Sequence, residues 1–199
     1  IDKSIVVFKE LAKYLPEDKE VYINLENLYS QQENYKELAK VIEKIIEIET
    51  DDGNKKEYLY KLGVIYEESL NDSKGAANVY ERIIKLYSDE MESLNNLERI
   101  YTDLGLMAQL VHVYQNKISI IDDISEKIEL HEKIASIASE ENNKSLTITT
   151  YQEILKLDVN YKNAFDILEE YYTNNNLFTE LLSTINFLIE NNCDYKTES

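Results

Sequence analysis

Apolar residues recur along this chain at intervals of three and four, in runs separated by short polar stretches. Leu59, Leu62, Ile65 and Tyr66 fall on one helical face, and Ala76, Val79, Tyr80, Ile83 and Leu86 on the next. That spacing is the 3.6-residue period of an amphipathic helix. Between the two runs lies Ser69-Leu70-Asn71-Asp72-Ser73, with the oxygen-bearing residues that open helices. Asn34 with Glu37, and Asp123 with Glu126, each set a capping residue three positions before an acid, as in a capping box. The pattern predicts helices in pairs, joined by short polar turns.

The pattern also repeats. Asn24-Leu25-Glu26-Asn27-Leu28-Tyr29 returns 72 residues later as Asn96-Leu97-Glu98-Arg99-Ile100-Tyr101, and after a further 71 as Ile167-Leu168-Glu169-Glu170-Tyr171-Tyr172. Tyr35, Leu38 and Ile42 correspond in the same way to Met107, Leu110 and Tyr114, then to Phe178, Leu181 and Ile185. An interleaved series runs through Phe8, Tyr80 and Tyr151. Each long period holds two similar units, marked by Tyr29, Tyr66, Tyr101, Ala138 and Tyr172 at steps of 37, 35, 37 and 34. This predicts five helix pairs, at about 17–50, 55–87, 89–122, 125–157 and 161–191, within one domain spanning 1–199. A lone helix at 2–14 precedes them and matches the second helix of a pair. With Ile rather than Met at position 1, that half-pair predicts a segment of a longer solenoid. The apolar rhythm stops near residue 191, where a frayed end is expected.

Leu62-Gly63-Val64-Ile65-Tyr66, followed by Ala76 and, four residues on, Tyr80, resembles the tetratricopeptide repeat, with Leu59 in the Trp position and Ser88 in that of the Pro. Ser4, Phe8 and Pro16 supply small, aromatic and Pro positions in the opening segment. The other units keep the size and rhythm and lose the Gly, so the repeats are degenerate. The resemblance implies an all-α fold: a right-handed α-solenoid of antiparallel helix pairs, a superhelix of about five and a half repeats. It also implies a concave groove lined by the first helix of each pair. Carried over pair by pair, the groove positions include Glu20, Ile23 and Asn27, then Glu57, Tyr60, Val64 and Glu67, then Glu92, Asn95 and Arg99. Glu129 and Glu132 follow in the fourth pair, and Asp166 and Glu170 in the last. Such a groove is strongly acidic and would select a basic or polar peptide; equally, glutamate-rich helix faces are commonly just solvated. Ile23, Asn27, Tyr60 and Val64 stand where some members carry a Lys/Asn/Arg clamp for chaperone C-termini, which argues against that guest.

Composition narrows the function further. Four Gly and one Pro in 199 residues, against roughly 24 at average usage, leave little room for the turns of a β-sandwich or barrel. With 21 basic and 39 acidic residues the net charge is −18, which opposes nucleic-acid and anionic-membrane partners. Cys193 alone makes no disulfide framework and is expected to be an ordinary free thiol. His112 and His131 fall in different units without ligand spacing, and there is no phosphate loop or nucleophile elbow. No catalytic residue, cofactor or metal is therefore expected. Among the sixteen Tyr, positions 29, 66, 80, 101, 114 and 151 lie on apolar faces and are read as packing residues, whereas Tyr60 points to the groove. The function expected is a non-enzymatic scaffold that binds a peptide or helix of another protein. The alternative is a structural spacer or self-assembly module, associating through the N-terminal end where Ile5, Val6, Val7 and Phe8 would be uncovered.

Overall fold

The computed structural model describes residues 1–191, so Cys193 and the expected frayed end beyond residue 191 lie outside the described residues. Every regular element among them is helical. The order is α1 (Asp2–Tyr14), α2 (Lys19–Gln31), α3 (Tyr35–Ile48), α4 (Asp52–Val64), α5 (Ser73–Leu86), α6 (Met91–Leu104), α7 (Met107–Ile120), α8 (Ile124–Glu140), α9 (Lys144–Leu157), α10 (Lys162–Asn174) and α11 (Phe178–Glu190). A single π-helical turn, Ile65–Ser69, continues α4. The elements follow the repeat: one lone helix, then five pairs.

The helices form two compact units, one from Ile1 to Gly105 holding α1–α6 and one from Leu106 onward holding α7–α11. Inside each unit every helix packs on its neighbours in sequence: α1 on α2 and so on to α6, and α7 on α8 and so on to α11. Packing between sequence neighbours alone is the arrangement of an α-solenoid. The predicted apolar faces make the core: Ile42, Ile45, Leu59, Leu62, Ile83, Leu94 and Leu97 are fully buried in the first unit. In the second, Ile154, Ala164, Leu168 and Tyr172 sit at the centre of a cluster completed by Ile128, Leu155 and Leu188.

Short side chains close the helices at their starts. Asp72 accepts from the Gly75 amide at 2.9 Å, Asp123 from Glu126 at 2.9 Å and Asn143 from Leu146 at 3.2 Å. Asn34 caps α3 through the Glu37 amide at 3.4 Å, but the Glu37 carboxylate takes the Lys40 ammonium at 2.5 Å instead of returning to the cap, so only half of the predicted box forms. Of the six Tyr read as packing residues, 29, 80, 101 and 114 are buried, and 66 and 151 are half-buried.

Candidate functional site

The first helices of the first unit, α2, α4 and α6, are joined by polar side chains. Lys61 of α4 pairs with the buried Glu26 of α2, and Arg99 of α6 pairs with Glu67 in the π turn. A buried carboxylate needs such a partner, because desolvating an unpaired charge is costly. A second line of contacts runs past the helix starts. Lys19 pairs with Glu49, which also accepts the amides of Thr50 and Asp51 at 2.9 and 3.0 Å; Lys56 pairs with Glu90. Each of these lysines lies beside a tyrosine ring, Lys19 5.6 Å from Tyr58 and Lys56 5.5 Å from Tyr87. The hydrogen bond from its lysine holds each carboxyl, Glu49 and Glu90, below the ordinary carboxylate range. Lys19 and Lys56 stand 37 residues apart, the step between the first two pairs, so this joint is itself repeated.

Tyr60 belongs to the same joint. Its hydroxyl donates to Glu90 Oε2 at 3.0 Å and accepts from Ser93 Oγ at 2.8 Å, and its ring lies 6.3 Å from that of Tyr80. Burial, with Glu90 adding to it, pushes the phenol up to about 12. The hydroxyl expected to meet a guest is thus committed within the molecule, and the ring is half-buried. The second unit builds the joint with the partners exchanged: Tyr161, at the start of α10, donates to Glu132 Oε1 at 2.6 Å.

These pairings split the expected groove residues into two sets. Glu67, Arg99, Tyr60 and Glu132 are engaged. Glu20, Glu57 and Glu92, in register on α2, α4 and α6, are exposed, and among the described residues their carboxylates make no hydrogen bond or ion pair. Asn27 and Asn95 are exposed on the same helices, and Glu129, Asp166 and Glu170 are exposed in the second unit. Glu26, Lys61 and the Lys19 and Lys56 joints were missed in the sequence, although the 37-residue spacing of the two lysines was there to be read.

Hollows occur elsewhere. One of about 290 Å³ lies between α9 and α11, lined by Gln152, Leu155, Lys156, Ser183, Thr184 and Phe187; another, of about 360 Å³, lies beside Asp72, Lys74, Asn78 and Arg82. Their linings contain none of the expected groove residues. His112 is exposed and His131 half-buried, its imidazole held below the ordinary value by burial. Among the described residues no group of three or more His, Cys, Asp or Glu could hold a metal ion, and no helix is long and apolar enough to cross a membrane.

Two family models, each described as tetratricopeptide repeat, match residues 21–56 and 57–89. No curated protein matches the sequence. Among solved structures, a crystal structure of MamA protein is similar at 14% identity and a TM-score of 0.42, over 86% of this chain and 90% of that one. YrrB, described as a TPR protein with an unusual peptide-binding site, is similar at 13% identity and a TM-score of 0.42, over 84% and 83%. A MamA segment from Desulfovibrio magneticus RS-1 is similar at 13% identity and a TM-score of 0.41, over 86% and 93%. Likeness of that degree decides nothing about function.

Proposed function

We propose that this chain, a tetratricopeptide-like helical repeat protein and hence a protein-interaction scaffold, takes up a basic or polar peptide segment along the first helices of residues 1–105. The observation that carries the reading is the row of Glu20, Glu57 and Glu92. They recur at steps of 37 and 35 residues, one on each first helix, exposed and without an intramolecular partner. The neighbouring acids Glu26 and Glu67 are already neutralised by Lys61 and Arg99, so among the expected groove acids of this unit the uncompensated ones are those of this row. A guest bearing Lys or Arg at matching intervals would be steered to it and held by contacts that are modest singly and add along the row. Asn27 and Asn95 supply polar side chains beside it. Glu129, Asp166 and Glu170 would extend the same preference over the second unit.

The test is fluorescence anisotropy with a labelled, lysine- and arginine-rich peptide, titrated with the wild type and with a Glu20→Gln, Glu57→Gln, Glu92→Gln triple variant. Removing three uncompensated charges is expected to weaken binding at least tenfold with the helical circular dichroism unchanged. Equal affinity of the two proteins overturns the reading. Glu67 is left intact in this design, because its reversal would set a lysine against Arg99 and disturb the fold.

A further inference from the structure

The helices α4 and α6 are linked by side chains on either side of a position that has none. On α4 and its π turn the linking face is Lys56, Tyr60, Gly63 and Glu67, at i, i+4, i+7 and i+11. Lys56 pairs with Glu90, Tyr60 bonds Glu90 and Ser93, and Glu67 pairs with Arg99. At Gly63 the ring of Tyr80, from α5, comes in instead, its phenol oxygen 3.2 Å from where a Cβ of Gly63 would lie. The hydroxyl therefore stands between the Tyr60–Ser93 link and the Glu67–Arg99 pair. Tyr80 is 2% exposed, yet among the described residues its hydroxyl makes no hydrogen bond. A hydroxyl buried without a partner costs stability. The fold does not call for that oxygen: at the same distance from the N-cap α3 carries Ile42 and α11 carries Ile185, and Phe8 stands one 72-residue period earlier.

Two more unpaired groups lie in register with it on α6. Glu92 is exposed and Asn96 half-buried, at i and i+4 on the face that carries Ser93 and Arg99, and among the described residues neither side chain makes a hydrogen bond or ion pair. Burial, with Glu67 and Glu92 adding to it and Arg99 opposing, pushes the Tyr80 phenol up to about 12, so the hydroxyl is neutral and able to accept. We propose that this seam is a subsite for a lysine ammonium of the guest, held by the Tyr80 hydroxyl, the Asn96 carboxamide oxygen and the Glu92 carboxylate. An ammonium is compact and carries three donors and no acceptor, which matches three acceptors; a guanidinium sets five donors in a rigid planar fork, and three acceptors leave part of it unpaired. Glu92 supplies the opposite charge that a partly buried cation needs, while Glu67 and Arg99 offset each other. The subsite presupposes the peptide-binding reading and adds to it a choice of lysine over arginine between α4 and α6.

The test uses two labelled peptides of one sequence, with lysine or with arginine at every basic position, titrated with the wild type, Tyr80→Phe and Asn96→Ala. The wild type is expected to bind the lysine peptide about tenfold more tightly, the worth of one hydrogen bond to a charged group. Both variants should lose that preference by weakening the lysine peptide alone. Because the hydroxyl has no partner within the chain, the urea midpoint of Tyr80→Phe should be no lower than that of the wild type. A lower midpoint overturns the proposal, since the oxygen is then bonded internally. So does a wild type that holds the arginine peptide as tightly as the lysine peptide, and so does a preference that survives either substitution; in these cases peptide binding itself stands. Binding of neither peptide removes the peptide-binding reading, and the subsite with it.

Discussion

At the scale of single residues, the most constrained position is Gly63. A Cβ built there would lie 2.9 Å from Cε1 and Cζ of Tyr80, closer than real Cβ atoms come to a neighbour. Tyr80 is 2% exposed, so its ring has no room to retreat. Gly63→Ala should therefore destabilise the first unit by about 1–3 kcal/mol, the usual cost of overpacking, seen as a lower urea midpoint. A midpoint equal to that of the wild type would mean that the ring gives way. This contact was legible in the sequence, because Leu62-Gly63 and Tyr80 stand at the motif spacing that implies close helix approach. The engagement of Tyr60 was not. Its partners Glu90 and Ser93 lie 30 and 33 residues away, and a periodic pattern says which face a side chain occupies, not what it meets across the next pair. The same limit hid Glu67 with Arg99 and left Glu20, Glu57 and Glu92 indistinguishable from the other acids.

At the scale of elements, each turn inside a helix pair closes through one left-handed residue: Glu33, Asn71, Gly105, Asn142 and Asn176, with φ between 51° and 66°. In the first, fourth and fifth pairs the amide of the next residue then returns to the carbonyl of the landmark residue: Asn34 to Tyr29 at 3.0 Å, Asn143 to Ala138 at 2.7 Å and Leu177 to Tyr172 at 2.8 Å. This is the helix-ending bond of a Schellman motif. In the second pair the bond spans one residue more, from Asp72 to Tyr66, and the π turn at Ile65–Ser69 absorbs the insertion. The turns were legible from their Asn residues and caps; the π turn was not, because a one-residue insertion leaves the apolar rhythm on either side intact. Glu33 is the one misfit, since Gly and Asn tolerate this conformation and Glu does not. Glu33→Gly should stabilise the chain by about 0.5–1 kcal/mol, the relief of strain less the entropy glycine gains when unfolded. Gly105→Ala should cost about 1 kcal/mol in the same assay, although nothing lies within 4 Å of its would-be Cβ. Shifts of the same sign for both variants would show that backbone conformation is not what decides these turns.

At the scale of the whole molecule, the net charge of −18 bears on the proposed peptide contact. A basic guest is attracted by exposed carboxylates, and that attraction is screened as the Debye length falls from about 10 Å at 0.1 M salt to about 3 Å at 1 M. Its affinity should fall steadily as salt is raised. Raising sodium chloride from low to high concentration should therefore weaken the anisotropy-measured peptide affinity. Peptide binding indifferent to salt would remove the carboxylate row as its cause.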